Sequence, residues 1–248
     1  MGQLVRPGEW VQPAESTFLI EPYFPRQGIV LVYGKKGVGK SPLMWQTLRA
    51  VALPGEKWLG HYPVAEHGPI LYIEADTPYR LVYPRAAPII GNLPNVYSYF
   101  TGPCNLADDR SYAHGELRRF IKDIPMPLLV WVNSLRKIHP FDDKPTHSTQ
   151  IVYSAFTGLF PDSTIAFSHH EKKDPTEGHF TEGEEFSGAL SWFNDCQVAL
   201  RLHVPKGTVP AHGGNLMLRQ TGSQVAPPPK HHPRLKLNAE ANGFIFYL

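Results

Sequence analysis

"GIVLVYGKKGVGKSPL", residues 28–43, decides how this chain is read. Its first half is a continuous apolar run without polar alternation, the pattern of a strand buried on both faces, and it predicts a parallel sheet. Its second half satisfies G-x-x-x-x-G-K-[ST], with Gly34, Gly39, Lys40 and Ser41 in the defining positions. Gly34, Gly37 and Gly39 let the backbone turn its N–H groups inward on phosphate oxygens, Lys40 reaches the terminal phosphates, and the Ser41 hydroxyl is placed to ligate Mg²⁺. Lys35, Lys36 and Val38 complete the loop. Pro42 falls just inside the predicted helix, where a missing N–H costs least. A buried strand before the loop and a helical stretch after it supply the context the motif needs, so nucleotide binding is expected at residues 34–42.

Working outward, four more apolar runs follow: "PILYIEA" (69–75), "PLLVWVNS" (127–134), "STIAFSHH" (163–170) and "CQVALRLHV" (196–204). Between them lie stretches compatible with crossover helices at 41–53, 78–91, 110–124 and 148–160. Strands alternating with helices argue for an α/β domain with right-handed crossovers, in which ligands sit at the carboxyl ends of the strands. The tail differs. "LMLRQ", "RLKLNA" and "GFIFYL" alternate around turn-rich "APPPKHH" and "AEANG", which predicts antiparallel strands at the sheet edge. The expected organisation is an N-terminal extension over 1–27 and a single domain over 28–248.

Composition sets the outer limits. At 248 residues with 42% hydrophobic and 19% charged residues the chain reads as globular, and no window approaches the roughly 18 apolar residues of a membrane span. "MGQLVRPGEWVQPAEST" has no apolar core of a secretory signal. Cys104 and Cys196 match no metal spacing and read as inert thiols in a reducing cytoplasm. A net charge of +2 falls short of the strongly basic balance of a dedicated DNA-binding domain.

With these segments in place, the chain resembles the RecA-like P-loop ATPases, most closely the group of RepA-type hexameric helicases and phage or plasmid RecA-like ATPases. "FLIEPYFPRQGIVLVYGKKGVGKS" is similar to that group's entry into the phosphate loop, and "GPILYIEADTPYRL" to its second strand with an acidic end. "MPLLVWVNSLRKIHP" is similar to its Walker B strand, and "STIAFSHHEKKDPTEG" to the strand that ends in a histidine sensing the γ-phosphate. "FSGALSWFNDCQVALRL" and the closing strands continue the likeness. The resemblance implies a RecA-like core with a mostly parallel central sheet flanked by helices, ATP and Mg²⁺ as ligands, and a hexameric ring or filament of identical subunits.

Residue by residue, it also implies roles. The general-base position matches Asp76, with Glu74 two residues earlier on the same face as the alternative. The Walker B position, an Asp in the family, is Asn133 here; an amide still accepts a hydrogen bond from metal-bound water but removes a negative charge, so a weaker hold on Mg²⁺ and slow hydrolysis are expected. His169 matches the γ-phosphate sensor, with His170 expected on the opposite face. Arg219 stands near the position of a cation offered to a neighbouring subunit's site, while Thr221 occupies the place of a second.

Single-stranded DNA is the partner the resemblance implies, through loops after the third and fourth strands. The second loop carries Lys172, Lys173 and Phe180 but six acidic residues from Glu171 onward, a poor electrostatic funnel. Two functions therefore stand side by side: an ATPase of DNA replication or recombination, helicase-like or an annealing mediator, and a nucleotide-held switch or scaffold with little hydrolysis and no direct DNA contact.

Overall fold

The computed structural model describes residues 17–140, 146–171, 191–205, 215–225, 227, 229–238 and 243–247. A short antiparallel pair, β1 (Phe18–Ile20) and β2 (Phe24–Pro25), leads into β3 (Gly28–Gly34). There follow α1 (Lys40–Ala52), β4 (Ile70–Glu74), α2 (Tyr79–Ile90), β5 (Val96–Phe100), α3 (Tyr112–Lys122), β6 (Leu129–Asn133), α4 (Thr146–Leu159) and β7 (Thr164–His170). The short α5 (Ser191–Asn194), β8 (Val198–His203), β9 (Asn215–Ser223), β10 (Arg234–Asn238) and β11 (Gly243–Tyr247) complete it.

Nine strands form one sheet in the order β11-β10-β9-β8-β3-β7-β6-β4-β5. The six strands from β8 to β5 run parallel, and β9, β10 and β11 add antiparallel at one edge. This is the arrangement the apolar runs and the alternating tail predict. Central strands are buried throughout: β4 shows no exposed position and β3 only a half-buried Gly28. Their continuous hydrophobicity is the physical consequence of being covered on both faces.

Two cores sandwich the sheet. One packs α1 and α2 with β1 and β2, through Leu43, Leu48, Val82 and Ile89 against Val30, Val32 and Tyr72. The other packs α3, α4 and α5 through Leu117, Val152, Phe156 and Trp192 against Leu31, Val132 and Phe167. Residues 18–24, read from sequence as part of an extension, lie in the first core, where Ile20, Tyr23 and Phe24 are fully buried. Phe24 and Tyr23 both meet the Trp58 ring edge-on or tilted.

Two elements depart from simple propensity. α2 contains Pro84 and Pro88, each lacking the N–H that would bond one turn back, at a cost of about 3 kcal/mol in an ordinary helix interior. Both prolines lie on its exposed side, while Val82, Ala86, Ile89 and Ile90 are buried. Burial of the three larger side chains, worth about 1.5–3 kcal/mol each, offsets the loss. The Arg49 guanidinium also donates to the Ile89 carbonyl at 3.2 Å, satisfying the helix end. β5 has no counterpart in the sequence reading; "VYSYF" sits at the sheet edge with no fully buried position, so it lacks the apolar run that marks the central strands.

Candidate nucleotide site

Strand register brings four chain ends to one margin of the sheet. Gly34 at the end of β3 lies opposite His170 at the end of β7, and Glu74 at the end of β4 lies opposite Asn133 at the end of β6. The phosphate loop leaves β3 at this margin. Gly34 is required by close approach: a Cβ there collides with the Leu202 carbonyl oxygen of β8. Gly37 and Gly39 adopt φ of 79° and 105°, the left-handed region that side chains avoid. Gly39 caps α1, and the Leu43 N–H donates to its carbonyl at 3.2 Å. Lys40, Ser41 and Pro42 form the first turn, which contains no acidic residue. The first-turn N–H groups of Lys40 and Ser41 have no carbonyl one turn back within the helix, so they are available to an anion at the positive end of the dipole.

The Lys40 ammonium is folded onto its own loop, donating to the carbonyls of Gly34 at 2.8 Å and Lys35 at 3.0 Å. Burial pushes its pKa down to about 8, and the negative charges of Glu171 and Asp76 pull it back up. Lys35, Lys36 and Gly37 are exposed on the outer side of the loop, and Val38 packs against the first core.

Of the two acidic residues expected beside the loop, the structure treats each differently. Glu74 is 1% exposed, and its carboxylate is enclosed by donors. Oε1 accepts from the backbone N–H groups of Asp76 and Thr77, both at 2.9 Å, and from Asn133 Nδ2 at 3.1 Å. Oε2 accepts from Asn133 Nδ2 at 2.8 Å and from the Tyr72 hydroxyl. Burial and the adjacent Glu74 charge push the Tyr72 phenol far up, so it remains a donor. A carboxylate offers about four lone-pair positions, so Glu74 has none left for an attacking water. The Asp76 side chain is instead 37% exposed and faces Lys137 at 3.9 Å. Lys137 and Arg136 belong to a 3-10 turn, Leu135–Lys137, that follows the cis peptide between Asn133 and Ser134.

The histidine assignment shifts by one residue. His169 is 2% exposed and registers against Tyr33, one residue before the loop. His170 is half-buried and registers against Gly34. Burial lowers the His170 pKa first, and Lys40, Asp76, Lys36 and Arg136 then act on it in opposing directions. The charges of the site are therefore the surroundings of His170. The parity expected from sequence put His169 at the site. Register with β3 turns that residue inward.

Beneath the loop, Glu171 and Arg201 form a buried ion pair, and the Glu171 N–H donates to the Gly34 carbonyl at 3.2 Å. This pair ties β7 to β8 across the end of β3, and sequence reading missed it because its partners are 30 residues apart and on different strands. Arg219 on β9 registers against Arg201 on β8. Thr221, two residues on, accepts a hydrogen bond from the Tyr33 hydroxyl at 3.0 Å. Lys172, Lys173 and Phe180 lie outside the described residues.

The set fits a nucleotide triphosphate with its divalent cation. The loop is lined by Lys35, Lys36 and Lys40, with Arg136 and Lys137 nearby, and hard oxygen groups are available at Ser41, Asp76 and Asn133. No helix among the described residues is long and apolar enough to cross a membrane. Both cysteines are free; burial pushes Cys196 up to about 12 and raises Cys104.

A family model described as an AAA domain matches residues 4–176. Among solved structures, an isolated ATPase domain superposes with a TM-score of 0.66 at 10% identity, covering 90% of this chain and 86% of that one. A KaiC-like protein from the hyperthermophilic archaeon Pyrococcus horikoshii OT3 gives a TM-score of 0.61 at 12% identity, covering 96% and 100%. No curated protein matches the sequence. The fold and the phosphate loop together are those of a RecA-like P-loop ATPase.

Proposed function

The chain belongs to the AAA-domain family, and from that premise we propose that it binds Mg–ATP at residues 34–42 and hydrolyses it slowly. The observation that carries this reading is the half-buried Lys40. Its ammonium is held at loop carbonyls, at the N-terminus of a helix without acidic residues in its first turn, with Asp76 within electrostatic range. A phosphate chain supplies the counter-charge that neutral carbonyls lack, and the loop N–H groups supply what the phosphate needs.

In this reading Asp76 orients the attacking water, because Glu74 has no acceptor capacity to spare. His170 takes the γ-phosphate-sensing role expected of His169. Ser41 and the Asn133 amide oxygen serve the Mg²⁺ shell, and the cation supplies charge neutralisation for the departing phosphate when bound. With an amide at 133, the site carries one fewer negative charge to hold the metal, which supports slow turnover. Arg219, beside β8 near the sheet margin, is assigned to a neighbouring subunit's site in a homo-oligomer.

The cellular role we assign is DNA replication or recombination, with single-stranded DNA as the stimulating partner. A nucleotide-held switch is favoured only by the paucity of free acidic groups, since Asp76 is the sole exposed carboxylate among the described residues at this margin. The deciding experiment is phosphate release from Mg–ATP with and without single-stranded DNA. Stimulation supports the DNA-linked ATPase; tight binding with identical, negligible release in both conditions supports the switch.

A further inference from the structure

Glu74 and Asn133 face one another across neighbouring parallel strands, and the contact is one-sided: both carboxylate oxygens receive the same amide NH₂, at 3.1 and 2.8 Å. A carboxylate accepts hydrogen bonds and cannot donate, so the amide has a single stable orientation beside it. Its NH₂ must face Glu74, which turns Oδ1 away. Glu74 in turn is fixed by the Asp76 and Thr77 N–H groups and by Tyr72, a buried arrangement with no rotational freedom.

We propose that Glu74 is a positioning residue that sets the polarity of Asn133, so that an acceptor oxygen and never an NH₂ faces away from β4 toward the cation's water shell. The same carboxylate holds the 75–77 turn that presents Asp76. Glu74 thus carries the buried negative charge of this corner, and Asn133 is an amide because a second carboxylate within about 3 Å of it is not tolerated. The metal-facing part of this inference rests on the nucleotide-site reading; the pairing itself does not.

Three substitutions separate these statements. In Asn133→Asp two carboxylates meet, or the new one swings away and leaves Glu74 short of a donor. In Glu74→Gln the new amide oxygen keeps the Asp76 and Thr77 N–H groups, its nitrogen replaces Oε2, and the Asn133 amide turns over to accept from it. In the double variant the roles are exchanged, with the amide on β4 donating to a carboxylate on β6.

The experiment is thermal unfolding of all four proteins in EDTA without nucleotide, then ATP affinity with Mg²⁺ and with EDTA. Asn133→Asp is expected to lower Tm by about 5–10 °C, and the double variant to recover most of that loss. Glu74→Gln is expected to unfold within about 3 °C of the wild type. It should nonetheless lose about tenfold of the Mg²⁺ enhancement of binding, because a donor now faces the water shell; a purely structural glutamate has no such effect. The double variant should regain the enhancement. Unchanged stability in Asn133→Asp, or no recovery in the double variant, overturns the pairing. Retained Mg²⁺ enhancement in Glu74→Gln overturns the polarity role. If the wild type binds no nucleotide at all, the functional reading fails while the unfolding cycle still decides the pairing.

Discussion

Lys40 Nζ lies 2.8 Å from the carbonyl oxygen of Gly34, six residues earlier, so the lysine and the first glycine of the loop close it upon itself. The ammonium is held by neutral carbonyls in a site that burial makes costly for a charge, and its pKa falls to about 8.

A pH dependence follows. A bound phosphate chain favours the charged lysine and raises its pKa above the free-protein value. Association therefore takes up a proton when the pH exceeds about 8, and affinity is level below that point and declines above it, by up to about tenfold per pH unit. Titration calorimetry from pH 6.5 to about 9.5 checks this. Lys40→Ala should bind at least about a hundredfold more weakly with no alkaline limb, whereas a level wild-type profile removes Lys40 from the phosphate site.

Glu171 supplies a test of the same electrostatics from outside the loop. Its charge is the larger of the two that raise the Lys40 pKa. Glu171→Gln should shift the alkaline limb of nucleotide binding to lower pH. It should also lower Tm by several degrees, because Arg201 loses its buried partner. A limb that stays in place shows that the two groups do not communicate.

The adjacent histidines should separate by what they cost. His170→Ala is expected to leave Tm almost unchanged and slow phosphate release by about 10–100-fold. His169→Ala, which empties a buried position beside Tyr33, should lower stability by about 1–3 kcal/mol with nucleotide affinity retained. Unfolding curves and phosphate release on both variants decide it, and the opposite pattern restores His169 to the site.

Two glycines of the loop fail for different reasons. Gly34→Ala meets the Leu202 carbonyl of β8 and should destabilise by about 3 kcal/mol or more, since two paired strands must separate. Gly37 has open space around it but φ of 79°, so Gly37→Ala should cost only about 1 kcal/mol while distorting the phosphate cradle. Denaturant unfolding ranks them, and equal costs contradict the packing argument at Gly34.

How much of this was legible in the sequence depends on where each signal resides. The buried strands, the phosphate loop and the antiparallel edge are written in local pattern, because a residue covered on both faces must be apolar and a phosphate cradle must be glycine-rich. β5 was not legible, since an edge strand with polar and aromatic alternation looks like loop. The histidine parity was not legible either: alternation says that His169 and His170 oppose each other, but only the pairing of β7 with β3 says which turns to the loop. The role of Glu74 depends on Asn133, 59 residues away, and two residues that each look catalytic by position are bound to one another. Motif reading assigns groups to positions. It does not show which groups are already satisfied by a neighbour.

The most direct test of the central claim is a phosphate-release time course from Mg–ATP with the wild type, Lys40→Ala and Asp76→Asn side by side. The account predicts slow release by the wild type and none above background by Lys40→Ala. It predicts that Asp76→Asn binds ATP with near-native affinity but turns it over at least about a hundredfold more slowly. Release by Lys40→Ala at the wild-type rate, or full activity in Asp76→Asn, would contradict it.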